Sequence, residues 1–392
     1  MAKRIAIAGL TVLTGLIGTQ QSFAQKTGLA GTTGAITTAV PFLRISPDAR
    51  SGAMGDVGIA ISPDANSQYW NVAKLAMSPK DAGVSVTYTP WLHDLVPDVF
   101  LGYISAYKKF GANSNQAISG SLRYFNLGNI DYTTIDATPA GSGKPREFSF
   151  DLGYSIRLSP NLSAGATLRY ISSNIAAGSP DPNNVYNPGK AFGADLGIFY
   201  TKTHDISEDR SGTFSAGAVL SNVGSKISYS ETEKDFIPIN LGIGVAYTYK
   251  IDAYNKVTGA LDLNKALVPA PKYYQAVDGS DSGHIPNDGI ISGMLGSFTT
   301  APPGYGTTIS VGGEYWYQDQ FAVRAGYFYE NKNNGDRQYF TCGLGVKYSI
   351  FGLNFSYLIP SGSGVARNPL SNTLRFSLLF DFDKSAFQKK EG

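Results

Sequence analysis

The sequence predicts an all-β transmembrane barrel of 14 antiparallel strands with a short, partly helical N-terminal plug, and three observations carry that prediction. Between Gly83 and Phe382, runs of eight to fourteen residues alternate apolar and polar side chains, the pattern of half-buried strands. The connections between these runs alternate long and short, as they do when successive turns emerge on opposite faces of a membrane. The 392-residue chain is 42% hydrophobic and 12% aromatic but only 16% charged, below the roughly 25% usual for soluble domains.

The first element is a leader. Lys3 and Arg4 precede an apolar stretch from Ile5 to Gly18, and small residues at Ser22 and Ala24 match a cleavage site after Ala24. Residues 1–24 are therefore read as a signal peptide, and no cysteine near the site suggests a lipoprotein. Removing Lys3 and Arg4 with the leader leaves 30 basic against 30 acidic residues. A net-neutral chain has no broad attraction to nucleic acid, and none is expected as a partner.

Residues 25–82 are too long for a simple linker and are read as a periplasmic plug segment entering the barrel. Gly52, Gly55 and Gly58 permit close backbone approach to a wall. Asp64 is placed to cap a short helix running to about Leu75, with Pro79 stopping it. Arg44 or Arg50 is expected to pair with Asp48, Asp56 or an inward acid such as Asp151.

Residues 83–382 form the barrel. The strand-like segments are 83–90, 98–109, 116–126, 147–158, 161–172, 190–201, 212–222, 236–249, 253–264, 305–317, 320–332, 337–348, 351–359 and 370–382. In one of them Leu152, Tyr154, Ile156 and Leu158 share a face opposite Asp151, Gly153, Ser155 and Arg157. Connections after odd-numbered segments include 127–146, 173–189, 223–235, 265–304 and 360–369. Those after even-numbered segments are brief, 202–211 being the longest. Long external and short periplasmic connections then place both mature chain ends in the periplasm, with 383–392 as a polar tail.

The two faces of the wall differ in chemistry. Phe321, Val323, Ala325, Tyr327 and Tyr329 fall on the lipid side, as does Cys342. The opposite face carries Arg123, Asp151, Arg157, Arg169, Asp195, Glu314, Arg324, Lys347 and Arg375. Turning an Arg or Lys to lipid near the midplane would cost about 2–4 kcal/mol, so these charges must line the lumen. There they either form a network of pairs that holds a narrow barrel together or line a polar conduit.

Catalytic signals are poor. The chain has no GxSxG, HExxH or P-loop motif, and its single cysteine and three histidines form no nucleophile or metal constellation. No enzyme activity, catalytic residue, metal or cofactor is expected, beyond room for a bound lipid or detergent. The 265–304 connection is long for a turn and suits recognition. It offers Tyr273 and Tyr274 to cover an apolar ridge and Asp278, Asp281 and Asp288 to pair at its edge, with Trp91 as a further contact candidate.

The stretch Ser46-Pro47-Asp48-Ala49-Arg50, the stretch Gly52-Ala53-Met54-Gly55-Asp56 and the residues from Ala60 to Asn71, with the fourteen-segment pattern, carry a resemblance. The chain resembles the PorV/PorQ-like outer-membrane proteins of the type IX secretion system, most of all the PorV branch, within the FadL-like β-barrel family. Asn71-Val72-Ala73 departs from the Asn-Pro-Ala common in FadL-like plugs. The resemblance implies an accessory outer-membrane component of protein secretion. It would bind the C-terminal signal domain of cargo at the extracellular rim and pass it from a large SprA-type translocon to the surface attachment complex. Its partners would be that translocon, the cargo signal domains, the attachment complex and outer-membrane lipids. The alternative it implies is a FadL-like transporter of hydrophobic small molecules.

Overall fold

The period-two alternation is realised as fourteen strands that close on themselves. The computed structural model describes residues 38–91, 98–134, 136–178, 187–230, 234–270, 272–275, 281–284, 288–299, 301, 304–331, 334–360 and 373–383. The wall consists of β1 (Ala82–Pro90), β2 (Phe100–Phe110), β3 (Gln116–Asn126), β4 (Arg146–Ser159), β5 (Leu162–Asn174), β6 (Gly189–Ser207) and β7 (Arg210–Gly224). It continues through β8 (Asn240–Lys250), β9 (Asn255–Ala266), β10 (Thr307–Tyr317), β11 (Phe321–Glu330), β12 (Gln338–Tyr348), β13 (Phe351–Pro360) and β14 (Leu374–Phe382). Each strand pairs antiparallel with its sequence neighbours, and β1 pairs with β14 from Ala82↔Phe382 to Tyr88↔Phe376. Closure satisfies backbone donors and acceptors that lipid could not. Among the described residues no helix is long and apolar enough to cross a membrane.

Every second residue points outward. Leu168 is 69% exposed and Phe192 66%, whereas the intervening Arg169 and Asp195 are buried. Aromatic pairs ring both ends of the wall, Tyr88–Phe100 and Tyr170–Phe192 at one end and Phe351–Phe380 at the other. Cys342 is exposed on the outer face of β12. The turns after even strands are tight, and the longer connections gather at the other end, the longest being residues 267–306.

Three features differ from the sequence reading. Residues 202–211 are a continuation of the β6–β7 hairpin down to Ser207↔Arg210, with the turn at Glu208 and Asp209. Its hydroxyl pair Thr203–Thr213, at 2.9 Å, is exposed, and polar side chains on both faces erase the alternation by which a strand is recognised. The connection 127–145 contains a small hairpin (Ile130–Thr133 with Pro139–Gly143), and 267–306 contains a second (Lys272–Gln275 with Asp281–His284). A helix, α1 (Ile290–Thr299), follows the second hairpin.

Inside the wall, the helix expected from Asp64 to Leu75 is broken in two. A turn of α-helix at Ser67–Trp70 gives way to a 3-10 helix at Val72–Met77, with Asn71 extended between them at φ −167°. Asn71 spends its side chain on the wall, its Nδ2 donating to Ile198 O at 2.9 Å while its Oδ1 accepts from Ala73 N at 3.2 Å. Asp64 does not cap the helix. Its Oδ1 accepts from Asn66 N and its Oδ2 from Arg50.

Candidate functional site

The plug runs through the lumen from the long-loop end to the short-turn end. Ala39 N donates to Phe236 O at the long-loop end, and Phe42 stacks on Phe125, 6.4 Å between centroids. At the other end Lys80 Nζ lies 2.8 Å from Asp383, the last described residue. The carboxy-terminal end of the barrel thus lies at the short-turn end, whereas Thr38–Leu43 lie at the opposite mouth. Residues 25–37, the leader and 384–392 fall outside the described residues.

Where Met54 and Gly55 pass the wall, the backbone approach requires glycine. Gly55 has φ +70°, and a Cβ there would sit 2.6 Å from Tyr327 N. A Cβ on Gly326 would lie 2.1 Å from Met54 C. Plug and wall touch backbone to backbone here, which lets the wall bond the plug directly through Thr341 Oγ1, an acceptor for Gly55 N at 2.8 Å.

Two charge clusters sit in this frame. In the first, Glu314 of β10 accepts from Arg50 of the plug (Nη2 2.8 Å, Nε 3.0 Å) and from Arg324 of β11 (Nε 2.6 Å). Arg50 also donates to Asp64, Ser62 O and Ser62 Oγ, and Arg324 donates to Asn354 Oδ1 at 2.9 Å. Burial alone would pull the Arg50 guanidinium down, but the carboxylates of Glu314 and Asp64 hold it above its ordinary value. In the second cluster, Arg169 of β5 bridges Asp151 of β4 (Nε 2.8 Å) and Asp195 of β6 (Nη2 2.9 Å), and also donates to Asn222 Oδ1. Ser121 Oγ and Asn222 N complete the two carboxylates.

Three further inward charges, Arg123, Arg157 and Arg375, contact the plug singly. Arg123 donates to Leu43 O at 2.9 Å, with its guanidinium 4.4 Å over the Tyr69 ring. Arg157 reaches Ala76 O at 3.1 Å. Arg375 lies 3.7 Å from Asp56, which also accepts from Tyr339 OH at 2.6 Å. Asp48 accepts from Ser51 N and Trp70 Nε1 inside the plug. Burial raises its carboxyl, as does the nearby Asp64, and those two bonds pull it back. Arg44 lies near Tyr69, Arg337 and Glu330, and burial lowers its guanidinium. Lys347 pairs instead with Asp381 of the wall, 2.6 Å away at the short-turn end.

Several anchors lie outside the set the sequence singled out. Asp262 of β9 accepts from Gly58 N (2.7 Å) and Ile59 N (2.9 Å), and its signal was the alternation Leu261-Asp262-Leu263. Lys74, 1% exposed, donates to Gly58 O at 2.6 Å. Burial pulls its ammonium down to about 8, against the opposing pull of Asp64 and Asp262. A lysine whose value falls on folding binds fewer protons folded than unfolded between about 8 and its ordinary 10.5. The plug seat therefore gains stability as pH rises through that window, by at most about 1.4 kcal/mol per pH unit, and lacks that gain below it. Lys74→Met should abolish the slope, measured as protease release of the plug between pH 8 and 10.5; an unchanged slope would assign it to another group.

At the long-loop mouth, Val40, Phe42 and Leu43 join Val99, Leu101, Phe125, Ile171, Ile237 and Leu267 in one apolar core. Trp91 packs edge-on to Phe125 at 6.5 Å, so its indole is engaged inside this mouth. Asp288 is half-buried just before α1. Tyr273, Tyr274 and Asp281 lie on the backbone of the second hairpin, their side chains outside the described set, and Asp278 falls outside the described residues. Beneath the mouth core lies a polar chamber of about 80 Å³ lined by Arg169, Asp195, Asn222, Asn240 and Tyr339. A vestibule of about 470 Å³ lies at the short-turn end, between Trp316, Lys347 and the Arg50–Arg324 pair. Among the described residues no group of three His, Cys, Asp or Glu side chains could hold a metal ion.

A family model described as type IX secretion system protein PorV matches residues 30–273. No curated protein matches. Among solved structures, the chain is similar to the toluene transporter TodX of Pseudomonas putida (12% identity, 86% of this chain, 98% of that chain, TM-score 0.49). It is also similar to the toluene transporter TbuX of Ralstonia pickettii (10% identity, 86% and 98%, TM-score 0.48) and to a FadL homologue of Pseudomonas aeruginosa (11%, 89% and 99%, TM-score 0.43).

Proposed function

Because the chain belongs to the family of the type IX secretion system protein PorV, an outer-membrane component of that route, we propose that it is an accessory barrel which binds the C-terminal signal domain of secreted cargo at its long-loop end. From there it helps transfer cargo from a large SprA-type translocon to the surface attachment machinery. On this reading the long loops face outside, and the short turns with Asp383 face the periplasm.

The observation that carries the reading is the occupied lumen. Buried plug residues from Phe42 to Ala76 fill it, latched through Glu314, Asp262 and Arg123. A folded domain has no route through such a barrel and must be handled at its rim. The rim is built for contact: two hairpins and α1 rise from connections whose bases share one apolar core. Transport of hydrophobic molecules through the lumen is the weaker reading, because the chamber under the mouth is lined by Arg169, Asp195 and asparagines.

Replacing residues 272–284 by a short Gly-Ser turn should weaken binding of an isolated cargo signal domain by at least about tenfold, measured in detergent by calorimetry, with the thermal midpoint unchanged. Full binding by a folded variant would move recognition off this loop.

A further inference from the structure

Helix α1 is uncharged along its whole length, Ile-Ile-Ser-Gly-Met-Leu-Gly-Ser-Phe-Thr, and its two sides have different fates. One side is seated: Gly293 lies against Phe236 and Pro269, so close that a Cβ would meet Phe236 at 2.8 Å, and Ile290 and Met294 join the mouth core. The other side is bare. Ile291 is 73% exposed, Leu295 64% and Phe298 57%. Spaced four and three apart, they form one stripe along the helix.

The stripe's position shows what it meets. In β9 the outward residues are Val257, Leu261 and Leu263, and Lys265 continues that outward series at the top of the wall. Lys265 is half-buried, its Nζ 5.8 Å from the Phe298 ring and 5.6 Å from the Tyr305 ring, and it donates to Tyr305 O. The C-terminal end of α1 therefore hangs over the outside of the barrel rather than over the lumen. Through Phe298 the stripe reaches the outward series of β9, and the outer band of β8 to β10 is likewise apolar, with Ile243 51%, Leu263 44% and Val311 48% exposed.

We propose that α1 is an interfacial helix whose Ile291, Leu295 and Phe298 side chains insert into the lipid of the membrane leaflet on the long-loop side. An uncharged helix with one face packed on protein and one apolar face joined to the lipid-facing wall fits the headgroup–acyl boundary. Lys265 stands where a lysine stem covers apolar surface while its ammonium stays at the polar level. The contact would hold the long-loop rim at a fixed height over the bilayer.

The test uses the full-length protein in phospholipid nanodiscs with Cys342 replaced by serine. Nitroxide labels are placed singly at Leu295→Cys and Ile291→Cys, with Asp131→Cys in the exposed first hairpin as the aqueous reference and Leu263→Cys as the lipid reference. The ratio of collisions with oxygen to collisions with a water-soluble nickel chelate should be several-fold higher at both α1 positions than at Asp131, approaching that at Leu263. A ratio equal to that at Asp131 at both positions would overturn the proposal. So would labels that are water-accessible in nanodiscs and shielded from both reagents only in native membranes, which would assign the stripe to a protein partner.

Discussion

Glu314→Gln is expected to free the plug from the wall. The carboxylate stands between two buried guanidiniums, accepting from Arg50 at 2.8 and 3.0 Å and from Arg324 at 2.6 Å. The amide keeps the shape but removes the charge and turns its NH2 toward one of the two guanidiniums, leaving Arg324 with neutral partners only, among them Asn354. Stranding a buried charge typically costs about 3–5 kcal/mol, which raises the population of released plug by roughly 150- to 5,000-fold. The measurement is limited proteolysis between residues 38 and 81 in the detergent-solubilised barrel, followed over time against wild type. Replacing the whole cluster by Glu314→Leu, Arg50→Met and Arg324→Met, with Asp64→Asn because Asp64 also pairs with Arg50, should recover much of the loss, because apolar packing of similar volume removes the stranded charges. An unchanged cleavage rate for Glu314→Gln would mean that backbone contacts such as Gly326 on Met54 hold the plug without the charges.

The wall was legible in the sequence because lipid imposes a rule at every position. Arg169 between Leu168 and Tyr170, or Asn354 between Leu353 and Phe355, can face only inward, so period two fixes both strand and side. Beyond the bilayer the rule lapses, and the polar continuation of β6 past Thr201 reads as a loop. Pairing is another matter. Arg50 and Glu314 are 264 positions apart, and the barrel closure brings together groups whose registers one strand cannot reveal. Plug residues also obey no period: Lys74 looks like the solvent side of a helix and is among the most buried side chains of the molecule. The stripe of α1 escaped notice because its exposure depends on what Gly293 and Met294 pack against, which is a property of the assembled mouth.

Arg169→Met should be the most damaging change in the wall itself. Arg169 touches no plug atom in its hydrogen bonds; it holds Asp151 and Asp195, which reach it from the strands on either side, together with Asn222 of β7. Methionine keeps most of the stem but leaves two buried carboxylates facing the same gap, each 5% exposed or less. They lose their common counter-charge and repel one another, so the loss should reach the upper part of the roughly 3–5 kcal/mol range for a broken buried pair. A barrel unfolds as a closed ring, so the expected readout is a lower thermal midpoint for the whole wall rather than local release of the plug. Adding Asp151→Asn and Asp195→Asn to Arg169→Met removes the stranded charges and should restore most of the midpoint, since amides can share hydrogen bonds with Ser121 and the Asn222 N–H. If the triple variant were no more stable than Arg169→Met, the loss would come from the missing guanidinium's packing and donors, and charge balance across β4, β5 and β6 would not be what the arginine supplies.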